Sequence, residues 1–357
     1  MLGAEICDYF LTIILLLYSL FCFFVVKKGF EAKNREGAIS SLMIGLIFFL
    51  FGIYNFRYGL FPYPFNGFML FWIAFCFVFL YSYVLIHALG KRKSGTSNAS
   101  ILFYSDPKED RMKYLDKLTT KQELKRKIFH LAALLLILSY YGWGRLPATT
   151  CTNIQVIKFI NWLGAGYTAL WGDQSLYPFV ENDPRVPFEL TFFALIALFV
   201  DLIIPDFIRV VHGFDYSIYN VVIKSVIQKK EYKALGPHTF LLGSVSLIFL
   251  FTKIGIGNIE YAFVAALCAC FGDGIAAIIG KYFGKHKIIT IAGATKSLEG
   301  FISSFIINFI ISALFLDFWL ALYVCFLFLL VDYFTIPVSD NILNPIIIFI
   351  GLSILPI

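Results

Sequence analysis

The sequence predicts an all-α membrane protein, a polytopic transmembrane helical bundle of about ten spans. Three observations support this class. The chain has 357 residues, of which 59% are hydrophobic and only 15% are charged. Its mean hydropathy is +0.80, a value that excludes an ordinary soluble domain. Finally, long apolar stretches recur along the chain, and the positive charges are concentrated between alternate pairs of them.

The apolar stretches define the predicted spans. A helix needs about 20 apolar residues to cross the hydrocarbon core of a bilayer. The first stretch is too long for the apolar part of a cleavable signal peptide and has no small-residue cleavage site, so we interpret it as a span. The last stretch is short. The predicted spans are residues 8–26, 38–56, 67–90, 128–144, 187–208, 235–252, 259–280, 299–316, 318–335 and 345–357.

The distribution of lysine and arginine predicts the orientation of the bundle. With the N-terminus outside, the inner segments contain 24 of the 29 Lys and Arg residues. Because cytosolic loops carry an excess of these residues, the inner side is predicted to be cytosolic. The same distribution accounts for the net charge of +6 without a nucleic-acid partner. The inner segments are 27–37, 91–127, 209–234, 281–298 and 336–344.

We divide the chain into two parts. Residues 1–120 contain three spans and a polar cytosolic linker, with few ionisable groups in the spans and no recognisable chemistry. Residues 121–357 contain the candidate functional groups and are predicted to be the catalytic membrane domain. Six of the seven cysteines lie in or beside spans, and no CxxC pair is present, so neither a disulfide framework nor a zinc site is expected.

The segment after residue 271 is the most informative part of the chain. Asp273 follows a long apolar run, where an ionised carboxylate is costly and is therefore a candidate for function. Glycines, two of them four residues apart, allow another backbone or a bulky ligand to come close. Lysines then gather positive charge, as a polyphosphate requires. These residues are Gly272, Gly274, Gly280 and Gly284, followed by Lys281, Lys285, Lys287 and Lys296, with Glu299 beside the last lysine.

A basic cluster opens the fourth predicted span. It consists of Arg126, Lys127 and His130, and Arg126 and His130 share a helical face. One interpretation is a basic membrane anchor with a His that reaches to the interface. The other is a set of donors for a phosphate or a lipid headgroup.

Acidic residues at other predicted inner edges complete the set. Asp206 and Arg209 form either a structural ion pair or part of a site. Asp332 lies in the ninth span, and Asp340 and Asn341 follow it. Their oxygens suit Mg²⁺, a hard cation, although Ser-Asp-Asn is also ordinary turn chemistry. Acids for a metal, lysines for phosphates and an apolar bundle for a lipid tail together indicate phosphoryl transfer to a membrane-embedded alcohol.

These clusters, in this order, resemble the family of CTP-dependent lipid kinases, which includes dolichol kinase, the CTP-dependent diacylglycerol kinase of yeast type, and phytol or farnesol kinases. The resemblance covers roughly residues 120–350. Departures are an Asp at 332 in place of an expected Glu, an extra outer loop at 145–186, and 120 unmatched N-terminal residues. The matching motifs are Arg126-Lys127-x-x-His130, Asp201 through Arg209 to Lys230-Glu231, Gly236 to Gly243, Gly272-Asp273-Gly274-x-Ala276-Ala277-x-x-Gly280-x-x-x-Gly284, Lys296-Ser-Leu-Glu299-Gly300, and Asp340-Asn341.

The resemblance implies a site as well as a reaction. It implies CTP as the phosphate donor, bound by the stretch 273–300, and a lipid alcohol as the acceptor at the cytosolic face. Asp332 and His130 are both candidates for the base that takes the proton of the lipid hydroxyl. The further expected roles are Mg²⁺ bound by Asp273, Asp340 and Asn341; nucleotide contacts from Gly272, Gly274, Gly280, Gly284, Lys285, Lys287, Arg126 and Lys127; phosphate neutralisation by Lys296; and Glu299 orienting Lys296 or binding the metal.

Two other functions remain open on the sequence. A CTP:lipid cytidylyltransferase would release pyrophosphate and form a CDP-lipid, although the paired His-Gly-Gly signature of those enzymes is absent. A transporter would need inverted repeats, and none is visible. The acceptor is left open among dolichol or another polyprenol, diacylglycerol and a short isoprenoid alcohol. The expected location is the endoplasmic reticulum in a eukaryote or the plasma membrane in a prokaryote.

Overall fold

The computed structural model describes most of the membrane part of the chain. Two predicted features lie outside the described residues, namely the basic residues Arg126 and His130 and nearly all of the outer loop 145–186. The described residues are 2–62, 65–93, 119, 121, 122, 124, 127, 133–143, 186–218, 228–291, 295–334 and 336–355.

The described residues are mainly α-helical. In chain order the helices are α1 (Leu2–Glu31), α2 (Arg35–Tyr58), α3 (Phe65–Lys93), α4 (Ala133–Ile137), α5 (Val186–His212), α6 (Pro237–Lys253), α7 (Ile259–Leu267), α8 (Asp273–Tyr282), α9 (Leu298–Ala313), α10 (Phe318–Tyr333) and α11 (Asp340–Ser353). Shorter elements are π-helical turns at Leu138–Trp143 and Cys268–Gly272, and 3-10 turns at Phe214–Tyr216 and Lys229–Glu231. Strands β1 (Lys287–Ile289) and β2 (Thr295–Ser297) form an antiparallel hairpin that the sequence did not predict.

The helix lengths confirm the all-α membrane class. Helices α9, α10 and α11 are also apolar but have only 14 to 16 residues. The number of about ten spans stays a prediction. In the described structure, fewer than ten of the predicted stretches form a helix long enough to span the membrane. Among the described residues, five segments are long and apolar enough to cross a membrane: Glu5–Glu31, Arg35–Tyr58, Phe65–Leu89, Pro187–His212 and Ile259–Tyr282.

One hydrophobic core joins the first three helices to the later ones. Phe48 of α2 stacks on Phe199 of α5, with ring centroids 4.6 Å apart. Polar contacts add to this packing at the predicted inner end of the bundle. Asn34 donates from its side-chain amide to the Tyr232 carbonyl at 3.0 Å. The predicted inner segments 27–37 and 209–234 therefore lie at the same end of the molecule.

Helix α9 has two distinct faces. One face exposes a large apolar side chain at every fourth residue, and each of these is 40–75% exposed. In a membrane helix such a stripe faces lipid. The opposite face carries small or polar residues that are buried. The exposed residues are Leu298, Ile302, Ile306, Ile310 and Leu314.

The buried face of α9 packs closely against α7 and α8. A Cβ added to Gly300 would lie 2.8 Å from the carbonyl oxygen of Ala276 and 3.4 Å from the Cα of Gly280. A Cβ added to Gly272 would lie 2.5 Å from the amide oxygen of Asn308. Small residues allow membrane helices to approach in this way. The four-residue spacing of the glycines therefore serves helix packing.

Asp206 and Arg209 form a buried structural pair. Both side chains are at most 1% exposed, and an Arg209 nitrogen lies 2.8 Å from a carboxylate oxygen of Asp206. Removing one partner of a buried ion pair typically costs about 3–5 kcal/mol. The pair ties the segment before α6 to α5, which favours the structural interpretation. Further partners are the Glu231 and Ala234 carbonyls for Arg209, and the Gly236 N–H and Thr239 hydroxyl for Asp206.

Candidate functional site

Asp273 follows a π-helical turn in the middle of a membrane helix. The turn covers Cys268–Gly272 within the helical segment Ile259–Tyr282. Single π turns inside α-helices are uncommon and are frequent at functional sites. The Asp273 side chain is 29% exposed, although the residues of the turn itself are mostly buried. An accessible carboxylate in an apolar helix is consistent with the functional role predicted for it.

Two ion pairs meet at this position. Lys127 donates to the carboxylate of Asp273. Lys296 donates to the carboxylate of Asp332 and, at 2.9 Å, to its backbone carbonyl. Asp273 and Lys127 are also close enough to Asp332 to interact with it electrostatically. We call these four residues the charge cluster. It joins two cations and two anions from four separate segments of the chain.

The β hairpin positions Lys296. Lys296 is paired with Ile288 across the two strands, so their side chains share one face of the hairpin. That face is directed toward α10, because Lys296 contacts Asp332 there. The base of the hairpin is fixed by a hydrogen bond from the Leu298 N–H to the His286 carbonyl at 2.9 Å. The lysine therefore lies on a short, braced element.

Glu299 contacts the loop before the hairpin. Its carboxylate accepts hydrogen bonds from the backbone N–H of Lys285 at 3.0 Å and of His286 at 3.1 Å. It also lies 2.8 Å from the His286 ring nitrogen Nδ1. Lys296, which the sequence suggested as its partner, instead contacts Asp332. The described contacts therefore give Glu299 a role in holding the loop that carries Lys285.

The four candidate glycines differ in their surroundings. A Cβ added to Gly272, Gly280 or Gly284 would meet a neighbouring side chain within 2.7 Å, which shows that these positions are filled by packing. Gly274 is buried, yet a Cβ added there would have no neighbouring atom within 4 Å. Gly274 directly follows Asp273. Among the described residues, Gly274 is therefore the candidate glycine without a close neighbour, and it lies next to the charge cluster.

The remaining predicted phosphate and metal residues lie on the hairpin segment and at the beginning of α11. Lys285 and Lys287 are exposed on the loop and on β1. Asp340 and Asn341 begin α11, and the Asn341 carbonyl accepts a hydrogen bond from the Ser244 hydroxyl at 2.8 Å. Within the described ranges, no three or more His, Cys, Asp or Glu side chains are grouped as a metal site.

The comparisons with known proteins agree with the motifs. A model of the cytidylyltransferase family matches residues 118–341, a range that includes the whole charge cluster. The chain is also similar to phytol kinase 1, chloroplastic, from Arabidopsis thaliana, with 37% identity over 106 residues. That match covers 29% of this chain and 33% of the relative, so the chain spans about a third of the length of the curated relative it matches. No solved structure matches the chain. The two matches confirm the resemblance to CTP-dependent lipid kinases.

Proposed function

Because the chain belongs to the cytidylyltransferase family, we propose that it transfers the terminal phosphate of CTP to a lipid alcohol in the membrane. The observation that carries the proposal is the charge cluster, which brings two lysines and two carboxylates together. Two lysines can neutralise phosphate oxygens, and two carboxylates can bind a cation or accept a proton. Phosphoryl transfer needs such positioning and charge neutralisation more than covalent chemistry.

The lysines are proposed to bind the phosphates. Without a nucleotide, Lys127 and Lys296 each have a carboxylate partner, so neither cation is left uncompensated in the apolar bundle. A polyphosphate provides stronger anionic partners for both. Lysine suits this exchange because its ammonium group acts as a compact point charge with rotatable donors. Lys285 adds positive charge at the exposed loop, whereas Lys287 lies on the face of β1 opposite to Lys296.

The carboxylates suit a magnesium ion that arrives with the nucleotide. Mg²⁺ is usually bound through one or two carboxylates together with substrate phosphates, rather than by an all-protein cage. Asp273, whose carboxylate is partly exposed, fits this donor set. Asp340 and Asn341 stay candidates from the sequence. When bound, Mg²⁺ would neutralise charge on the phosphate oxygens.

The chemical step needs a base for the lipid hydroxyl. The hydroxyl oxygen forms a bond to the terminal phosphorus of CTP, and the bond from that phosphorus to the bridging oxygen breaks. CDP leaves, and the hydroxyl proton passes to the base. Asp332 is the described candidate, and His130 is the second candidate from the sequence. The positive-inside distribution supports placing this step at the cytosolic face.

Residues 1–120 are proposed to support the catalytic part rather than to carry chemistry. The start of α2 contacts two segments of the later chain. Asn34 binds the Tyr232 carbonyl, and the Ser40 hydroxyl accepts a hydrogen bond from the Ser339 N–H at 2.9 Å. Ser339 directly precedes α11, where Asp340 lies. The N-terminal helices therefore hold the segment before α6 and the beginning of α11, where the candidate metal residue Asp340 lies.

A second candidate function is the formation of a CDP-lipid. The observation that favours it is the description of the matching family, which names cytidylyl transfer. In that reaction a lipid phosphate would attack the innermost phosphorus of CTP, and pyrophosphate would leave. The Arabidopsis relative, which is named as a kinase, supports the first reaction.

A nucleotide and acceptor panel tests the donor and the lipid class. Purified protein in vesicles would be given phytol, farnesol, dolichol or diacylglycerol with CTP, ATP, GTP or UTP at equal concentration. We expect CTP to be the best donor, because a pocket that hydrogen-bonds the base leaves polar groups unpaired with a wrong base. Among the acceptors, we expect the isoprenoid alcohols to react fastest, because the Arabidopsis relative is named as a phytol kinase. Equal rates with ATP and CTP would contradict the proposed donor.

A further inference from the structure

The outer side of the β hairpin exposes large apolar side chains next to lysines. Tyr282, Phe283, Ile289 and Ile291 are 58–70% exposed. In a water-soluble loop such side chains would be costly to leave uncovered. Their position at the end of a membrane helix suggests a surface that lies against the bilayer.

The hairpin has two faces with different surroundings. Lys296 and Ile288 share the face that is directed toward Asp332. Side chains of neighbouring strand residues point to opposite faces, so Lys287 and Ile289 lie on the other one. Both of these side chains are exposed. One face therefore serves the charge cluster, whereas the other face has no described element packed over it.

The lipid-facing stripe of α9 leads directly to this hairpin. The stripe begins at Leu298, the residue immediately after β2. The Leu298 N–H is bonded to the His286 carbonyl, so the base of the hairpin is attached at the beginning of the stripe. The end of a lipid-facing stripe marks the boundary between the membrane and water. The hairpin is therefore located at that boundary.

The charge on the same surface identifies the kind of partner. Lys281, Lys285 and Lys287 are exposed around the apolar side chains. Lysines beside aromatic and aliphatic residues are typical of segments that lie in a membrane interface and bind anionic lipids. The predicted cytosolic location agrees with this, because the cytosolic leaflet carries the negative surface potential.

We propose that the β1–β2 hairpin is an interfacial anchor that binds an anionic phospholipid surface. Lys281 and Lys287 contact the headgroups, and Tyr282, Phe283, Ile289 and Ile291 enter the outer acyl region. The anchor keeps the opposite face of the hairpin directed toward α10, so that Lys296 stays in contact with Asp332. Membrane attachment by the hairpin does not depend on the proposed reaction.

Fluorescence of a label on the hairpin tests the anchor. Ile289→Cys would be labelled with the environment-sensitive dye NBD, and dye-treated wild-type protein would give the background from the native cysteines. Vesicles would contain phosphatidylcholine alone or with phosphatidylglycerol. We expect stronger emission with phosphatidylglycerol, at least twofold quenching by lipids brominated on their acyl chains, and little quenching by aqueous iodide. Strong iodide quenching in both vesicles, without quenching by brominated lipid, would overturn the proposal.

Two further variants show whether the dye response belongs to the hairpin and whether its lysines bind the headgroups. Lys33→Cys, in the exposed turn between α1 and α2, provides a reference for a label in water. Lys281→Gln in the Ile289→Cys background should reduce the emission gain from phosphatidylglycerol while leaving the protein folded. If that gain were unchanged by Lys281→Gln, and also by the double change Lys281→Gln and Lys287→Gln, the lysines would not bind the headgroups and the proposal would fail. Adding CTP should not abolish the lipid quenching, because the hairpin's outer face is proposed to bind lipid rather than nucleotide.

Discussion

Replacing Asp273 by Asn is expected to lower turnover by about a hundredfold or more while leaving the protein folded. The loss corresponds to the removal of one charge-stabilising group from an active site. Asn keeps the shape of the side chain but loses the negative charge that faces Lys127 and the proposed Mg²⁺. The measurement is the rate of lipid-alcohol phosphorylation per folded protein, with folding checked by size exclusion and thermal unfolding.

Asp201→Asn is the matched control for this change. Asp201 also lies in a membrane helix, α5, and within the described ranges it forms no ion pair with the charge cluster. We expect this variant to retain most of the activity. Near-normal turnover of folded Asp273→Asn would make Asp273 a structural residue. Equal losses in both variants would indicate a general effect of removing a membrane carboxylate.

Replacing Lys296 by Ala is expected to weaken the use of CTP. Hydrogen bonds to charged groups contribute about 1.5–3 kcal/mol, which corresponds to about a 10- to 150-fold fall in kcat/KM for CTP. The change also leaves the Asp332 carboxylate, only 12% exposed, without its lysine. Stability must therefore be measured alongside activity.

Lys296→Arg is the conservative comparison. It keeps the positive charge near Asp332 and should restore part of kcat/KM, although guanidinium geometry differs from that of an ammonium group. If Lys296→Ala changed only the KM for the lipid alcohol, Lys296 would not bind the phosphates of CTP.

The sequence alone identifies the members of the site but not their pairing. Asp273 stands out because it is an acid after a long apolar run, and Lys127, Lys296 and Asp332 lie at predicted membrane edges. Lys127 and Asp273 are separated by 146 residues, so their contact depends on how the helices are arranged around the bundle axis. The pairing of Lys296 with Asp332, rather than with nearby Glu299, likewise depends on the hairpin.

The hairpin and the π turn leave almost no trace in the sequence. Each strand has three residues, too few for an alternating pattern to be recognised. A π turn adds one residue to a helical turn without changing its hydropathy. The glycines can be read from the sequence, but their role cannot, because a ligand site and close helix packing both require a small residue. The structure distinguishes the glycines: Gly280 is packed against Gly300, whereas Gly274 has no close neighbour within the described part of the chain.

The most direct test of phosphoryl transfer from CTP to a lipid alcohol is to follow the cytosine ring and the terminal phosphate of CTP separately. CTP carrying one isotope in the cytosine ring and another in its terminal phosphate would be incubated with the protein and a lipid alcohol in vesicles, and the lipid and water phases would be analysed separately. A lipid kinase places the phosphate label in the lipid and leaves the cytosine label in CDP. Cytosine label in the lipid together with labelled pyrophosphate in water would contradict the account and establish cytidylyl transfer.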